Sequence, residues 1–264
     1  MTEFITSSSN KKIKLVRALQ EHHSTRDSEV KFVAEGVRLL EEALRVNWPM
    51  DFILYDQTLS ERGLNLLSQL AVKLKPSISQ TTPELMASIS DTENPQGILA
   101  VLERQALALP ENPTFIILVD QMRDPGNMGT LLRTADATGA DGVLLTPGTV
   151  DAFSPKVVRA GMGAHFHLPI QHKSWEEIKS YLQNRPVFLA DVDGETPLWR
   201  VNFRQPCTLL IGGEAFGASD EGRSLATQRI TIPMLGRVES LNAAIAAAIL
   251  MGEVLRQRLT PKKE

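Results

Sequence analysis

The sequence predicts an α/β protein in two parts: a small N-terminal α/β domain, and a C-terminal domain whose mostly parallel sheet carries helices on both faces. Three observations carry this reading. Short apolar runs alternate with stretches of helical periodicity along nearly the whole chain. The run Thr-Phe-Ile-Ile-Leu-Val over 114–119 is continuous and ends in Asp120, which suits a strand covered on both faces of a parallel sheet. Between the parts, 109–113 places Pro110 and Pro113 within four residues, which favours an extended, solvent-facing linker. The domains are therefore expected over 1–109 and 110–264.

In order, Ile13, Val16 and Leu19 have helical spacing over 10–23, and the polar stretch 26–31 breaks that pattern. Residues 32–34 read as a strand, 37–45 as a helix, 52–55 as a strand, 60–75 as a helix and 77–79 as a strand. Thr82-Pro83-Glu84 is a helix start, because proline's missing N–H is harmless in the first turn. Residues 96–102 close the first domain as a strand. In the second domain, strands are expected at 114–119, 142–146, 165–169, 187–190 and 208–211, with helices at 127–138, 155–159 and 175–183. A last apolar stretch ends at Pro233. From about Leu241, Ala, Ile, Leu and Met dominate on every face for roughly three turns, which predicts a buried helix.

Composition excludes several classes. Of 264 residues, 42% are hydrophobic and 22% charged, the balance of a globular chain. No charge-free apolar run reaches the roughly 20 residues of a membrane span, and residues 1–10 lack an apolar signal core, so no membrane association and a cytoplasmic location are expected. The single cysteine, Cys207, precedes an apolar run and reads as a buried thiol. The histidines have no metal-ligand spacing, so no metal site is expected. The net charge of -3 shows no overall basic bias, yet Lys11, Lys12, Lys14 and Arg17 crowd the first helix, followed by Arg26.

Ligands of open parallel sheets bind at the carboxyl ends of the strands, so the loops after 119, 146, 211 and 233 should converge on a site. These loops carry Asn127, Gly212, Gly213, Glu214, Ser240 and Asn242, with Arg133 further along the helix that follows the first. The glycine spacing matches neither a dinucleotide fingerprint nor a triphosphate loop.

Three ordered motifs are more specific: Asp124-Pro125-x-Asn127-x-Gly129-x-x-x-Arg133-Thr134-Ala135, Gly212-x-Glu214-x-x-Gly217, and Ile232-Pro233-Met234-x-Gly236-x-x-x-Ser240-Leu241-Asn242. With Ser154-Pro155-Lys156-Val157-Val158-Arg159-Ala160 between the first two, they resemble the SpoU (TrmH) RNA ribose 2'-O-methyltransferases of the SPOUT superfamily. The first domain resembles the ribosomal-protein-like substrate-binding domain often fused to them, through Asn10, Arg26, Phe32, Glu35-Gly36 and Asn94-Pro95-Gln96-Gly97. The sequence departs from the usual pattern at Gly161, Gly213 and Ala215.

The resemblance implies a deep trefoil knot, with the segment after Ile230 threaded through an earlier loop, and a homodimer with a shared active site. It implies S-adenosylmethionine held at Thr146, Gly212, Gly213, Glu214, Ile232, Met234 and Leu241, and a catalytic set of Arg133, Asn127, Glu214, Ser240 and Asn242. A guanidinium stays protonated, which favours Arg133 as a phosphate clamp and electrostatic stabiliser over a general base, although both roles stay open. Asn127 and Ser240 could equally be helix caps. The expected substrate is structured RNA, ribosomal rather than transfer RNA, gripped through Lys11, Lys12, Lys14, Arg17 and Arg26. The alternative is a non-catalytic RNA-binding protein on the same fold.

Overall fold

A computed structural model describes residues 3–183 and 185–260; the outer limits of the two expected domains, 1 and 264, lie outside the described residues. The elements run β1 (Glu3–Ile5), α1 (Lys11–Glu21), α2 (His23–Glu29), β2 (Lys31–Glu35), α3 (Val37–Arg45), β3 (Met50–Tyr55), α4 (Glu61–Lys73), β4 (Ser77–Thr81), α5 (Pro83–Ala87) and β5 (Ile98–Glu103). They continue with β6 (Phe115–Asp120), α6 (Pro125–Ala137), β7 (Gly142–Leu145), α7 (Pro155–Gly161), β8 (Ile170–His172), α8 (Trp175–Leu182), β9 (Val187–Ala190), β10 (Thr196–Pro197), β11 (Cys207–Gly212), α9 (Asp220–Leu225), β12 (Gln228–Thr231) and α10 (Ala243–Leu259). The chain divides into two compact units, one ending at Gln105 but also taking in Asp151–Phe166, the other formed by Ala106–Val150 and the chain from His167 onward.

The first unit has a five-stranded mixed sheet in the order β1-β4-β3-β5-β2. Strand β5 runs antiparallel to both β2 and β3, while β4 runs parallel to β3 and β1. Helix α1 starts where the Asn10 side chain accepts from the Lys12 N–H at 2.8 Å, and it buries Ile13, Val16 and Leu19 against Val33, Phe52, Leu54 and Val101. As expected, Thr82 caps α5 with Pro83 in its first turn.

The stretch 26–31 departs from expectation, since α2 occupies most of it. The reason lies far along the chain. Arg26 is buried, and its Nε donates to Asp151 Oδ2 at 2.6 Å while its Nη1 donates to the carbonyls of Leu19 and Gln20 at 2.5 and 3.2 Å. Asp151 opens the second segment of this unit, in which Phe153 packs on Phe32 and Arg159 ion-pairs with Asp91. His165, expected on a strand, lies instead in a 3-10 turn, Ala164–Phe166, and the strand falls later, at β8. Its ring is fully buried between Phe32 and Phe153, and Nε2 sits 2.7 Å from the Ala152 carbonyl.

The second unit has a seven-stranded sheet, β10-β12-β9-β11-β6-β7-β8, with every pairing parallel. Strands β6 and β11 pair over their full lengths at its centre and are almost wholly buried, which is why β6 reads as a continuous apolar run before Asp120 and β11 is apolar apart from the buried Thr208. From β6 the chain moves outward through β7 to β8, then crosses back to β9 on the far side of β11. The strand order therefore reverses between β6 and β11, and a crevice at that point is where ligands of doubly wound sheets bind.

Helix α10 corrects the expectation of a helix buried all round. It packs one face, Ala244, Ala247, Leu250, Met251 and Val254, against α6 and β11, and leaves Ile245 half exposed and Ile249 40% exposed. No helix among the described residues is long and apolar enough to cross a membrane.

Candidate active site

The site grows from the last residue of β6. Asp120 is fully buried, and its Oδ1 accepts from the Thr146 hydroxyl at 2.9 Å while its Oδ2 accepts from the Ser219 N–H and hydroxyl at 2.7 and 2.8 Å. One carboxylate thus joins the loops after β6, β7 and β11. Thr146 closes the arrangement by accepting from the Gln121 N–H at 3.2 Å. Buried polar groups need partners, so each loop is fixed by the others.

Beyond Asp120, Asp124 caps α6 by accepting from the Asn127 N–H at 2.7 Å. Asn127 is therefore not the cap, and its side chain is free for other work. Asn242 caps α10, its Oδ1 accepting from the Ala244 and Ile245 N–H groups at 3.0 and 3.2 Å, so Ser240 is not a cap either. Because the Asn242 oxygen is committed to the helix, its amide must donate outward, and it does so to Asn127 Oδ1 at 2.9 Å. Asn127 Nδ2 then donates to Glu214 Oε1 at 2.9 Å. The carboxylate also accepts from the Arg123 and Asp124 N–H groups at 3.2 and 3.3 Å. A directional chain of hydrogen bonds thus runs from the start of α10 through the start of α6 to the loop after β11.

Partial burial pushes the Glu214 carboxyl upward, but the donors from Asn127 and from its own backbone, Arg123 and Asp124 outweigh it and hold the group below the usual glutamate range. It is an ionised acceptor rather than an acid. The loop it begins is tight, since Gly213 and Gly217 exchange hydrogen bonds at 3.0 and 3.1 Å and Gly217 has φ +68°. A Cβ on Gly212 would fall 2.3 Å from the Gly217 carbonyl carbon, and one on Gly213 would fall 2.5 Å from the Gln121 oxygen. Loop packing alone accounts for both glycines.

Of the expected catalytic residues, the structure brings Asn127, Glu214 and Asn242 together. Arg133 and Ser240 are exposed and make no hydrogen bond or ion pair among the described residues. Arg133 lies six residues beyond Asn127, about 240° around α6, so the two side chains leave the helix in different directions. Of the expected cofactor residues, Thr146 is buried within the Asp120 cluster, while Ile232, Met234 and Leu241 are half buried along 232–242, a stretch with neither helix nor strand. An apolar wall beside main-chain groups that make no hydrogen bond among the described residues, with few charged side chains, fits a nucleoside-bearing cofactor of mixed polarity.

Asp120 and Ser219 were not singled out from sequence. A carboxylate closing a wholly apolar strand was the available signal, but only the fold brings Ser219 to it. Cys207 is buried as expected, and burial raises its thiol pKa to about 11, which excludes a thiolate nucleophile at neutral pH. Among the described residues no group of three or more potential ligands could hold a metal.

A doubly wound parallel sheet, with a polar cluster where its strand order reverses, defines an α/β enzyme domain that binds ligand at the carboxyl ends of its strands. Comparison with known proteins narrows this. Residues 114–252 match the SpoU rRNA Methylase family and residues 10–100 the MRM3-like substrate binding domain. The chain is 32% identical to the 23S rRNA (uridine(2479)-2'-O)-methyltransferase of Streptomyces viridochromogenes, with 96% of this chain and 92% of that one covered. It is also 32% identical to the 23S rRNA (guanosine(2553)-2'-O)-methyltransferase of Bacillus subtilis, covering 94% and 97%. Among solved structures, an AdoMet-bound rRNA methyltransferase from Sinorhizobium meliloti superposes with a TM-score of 0.84 at 30% identity, covering 98% and 99%. The chain belongs to the SpoU rRNA methylase family.

Proposed function

We propose that the protein transfers the methyl group of S-adenosylmethionine to a ribose 2'-hydroxyl in structured RNA, ribosomal rather than transfer RNA, and that it does so in the cytoplasm. The cofactor supplies a methyl group already activated on a sulfonium, so the chain must align it with a weak nucleophile and handle one proton. The observation that carries this reading is the chain of hydrogen bonds from Asn242 through Asn127 to Glu214 at the carboxyl ends of β6 and β11. The half-buried Ile232, Met234 and Leu241 offer apolar walls to the cofactor, and Gly212, Gly213 and Thr146 shape the neighbouring backbone. Arg133, exposed and always charged, suits the role of phosphate clamp and electrostatic stabiliser.

Three further parts belong to the same reading. A homodimer is supported by the exposed Ile245 and Ile249, which lie one turn apart on α10, and by Arg133, which has no partner among the described residues. The trefoil knot rests on the likeness of the ordered motifs, with β12 lying between β9 and β10 in the sheet. The N-terminal domain expected over 1–109, joined in its compact unit by Asp151–Phe166, grips RNA through the exposed Lys11 and Lys14. Lys12, bonded to Glu3, Ser77 and Ser79, and Arg17, bonded to Ser88, contribute less, and buried Arg26 drops from that set.

The test is transfer of labelled methyl from S-adenosylmethionine to unmodified ribosomal RNA, with the product mapped as a 2'-O-methyl nucleotide. Asn242→Ala or Arg133→Ala should reduce transfer at least about a hundredfold, the scale of losing one electrostatic contact in a transition state. RNA binding without transfer, at saturating cofactor, would favour the non-catalytic alternative.

A further inference from the structure

The loop after β11 carries an exposed aromatic ring that nothing inside the second unit explains. Phe216 is 88% exposed, against 59% for the next most exposed aromatic side chains, Phe4 and Trp199. Its loop is nevertheless pinned on either side of it. Gly213 and Gly217 hydrogen-bond each other in both directions, Glu214 is held by Asn127 and by the Arg123 and Asp124 N–H groups, and Ser219 is held by buried Asp120. A ring that merely strayed to the surface would be expected on a slack segment, whereas here it is fixed in water beside the polar cluster. Ordering an apolar ring before contact lowers the entropic cost of binding a planar partner.

We propose that Phe216 is a stacking platform for an unpaired nucleobase of the RNA substrate, at or next to the nucleotide that is methylated. The inference rests on the proposed RNA methylation and adds a specificity-determining residue to it. Single-stranded nucleotides are recognised by splaying bases onto aromatic faces, and each such stack has a large effect on affinity. Arg123, whose N–H binds Glu214, keeps an exposed guanidinium with no side-chain partner among the described residues, so cation and ring project from loops bonded to each other. The competing occupant is a second copy of this chain. The stripe of Ile245 and Ile249 on α10 suits that role better, being two aliphatic side chains on one helix face, whereas the sequence neighbours of Phe216 are Glu214, Ala215 and Gly217.

The test compares Phe216→Ala, Phe216→Leu and Phe216→Trp with the unsubstituted protein, using 23S rRNA transcribed in vitro. The dissociation constant for RNA and the KM for RNA are read alongside cofactor affinity by calorimetry and mass by light scattering. Ala and Leu should each weaken RNA binding about tenfold or more, Trp should stay within about twofold, and cofactor affinity and mass should not change. Leu performing as well as Trp would overturn stacking, and so would RNA affinity that none of the three changes. Loss of self-association in Phe216→Ala would assign the ring to the second copy instead. Because RNA binding is measured without turnover, absence of methyl transfer in the unsubstituted protein would count against the proposed activity and leave the stacking result standing.

Discussion

Replacing Arg26 separates a residue that holds the fold from one that holds RNA. The sequence pattern places Arg26 with the basic residues of the first helix, but its side chain is only 6% exposed and meets an Asp151 carboxylate that is 11% exposed. Arg26→Ala would leave that carboxylate buried with the Phe153 N–H as its remaining donor and would orphan the Leu19 and Gln20 carbonyls. Removing one partner of a buried pair costs about 3 kcal/mol or more, because the stranded charge keeps its desolvation penalty. For a unit of this size that lowers the unfolding midpoint by roughly 10 °C. Joint replacement, Arg26→Leu with Asp151→Leu, should recover much of the loss, since no charge is then stranded. Calorimetry and urea unfolding of the whole chain measure both variants, and filter binding measures RNA affinity at a temperature where each is folded. Lys14→Ala is the counterpart and should weaken RNA binding without moving the midpoint. An Arg26→Ala protein as stable as the original, but weaker in RNA binding, would refute the structural role.

Two other predictions concern titration and the polar chain. Burial depresses the His165 imidazole to about 4, so the folded unit holds it neutral; its stabilising effect is complete above the unfolded value near 6.5 and is lost as pH falls towards 4. Between pH 7 and pH 5 this amounts to about 2 kcal/mol, which should appear as a drop in urea midpoint that His165→Phe flattens and that an unchanged slope would contradict. Asn127→Asp keeps an acceptor for Asn242 but sets a second carboxylate against Glu214, so kcat/KM should fall about tenfold or more at neutral pH and recover as pH is lowered and one carboxylate takes a proton. A profile parallel to that of the unsubstituted enzyme would show that the Asn127 to Glu214 contact has no catalytic consequence.

Several features were readable because they depend on neighbours in sequence. Strand β9 and helix α3 fall at the expected residues, and α6 lies close to its expected span with Pro125 in its first turn. The buried state of β6 followed from its continuous apolar run. The ordered motifs grouped Arg133, Asn127, Glu214, Ser240 and Asn242, of which the geometry joined only Asn127, Glu214 and Asn242, excluded capping by Asn127 and Ser240 and gave the direction of the hydrogen bonds. Misreadings occurred where a distant partner decides. Helix α2 forms in a polar stretch around an arginine paired 125 residues away, and the strand expected at His165 yields to a turn packed among Phe32, Phe153 and Phe166. Helix α10 looked wholly buried because sequence shows how apolar each face is, but not whether a neighbour covers it.

The sequence alone determined the fold class, the order of the motifs and the chemistry of the residues at the ends of the strands, because periodicity and residue type are local properties. Tertiary structure decided which of these residues meet. It joined three loops through Asp120, turned Arg26 inward and left Phe216 and one face of α10 in water. Those outcomes depend on which segments of the chain come together across the sheets, and no local pattern encodes that.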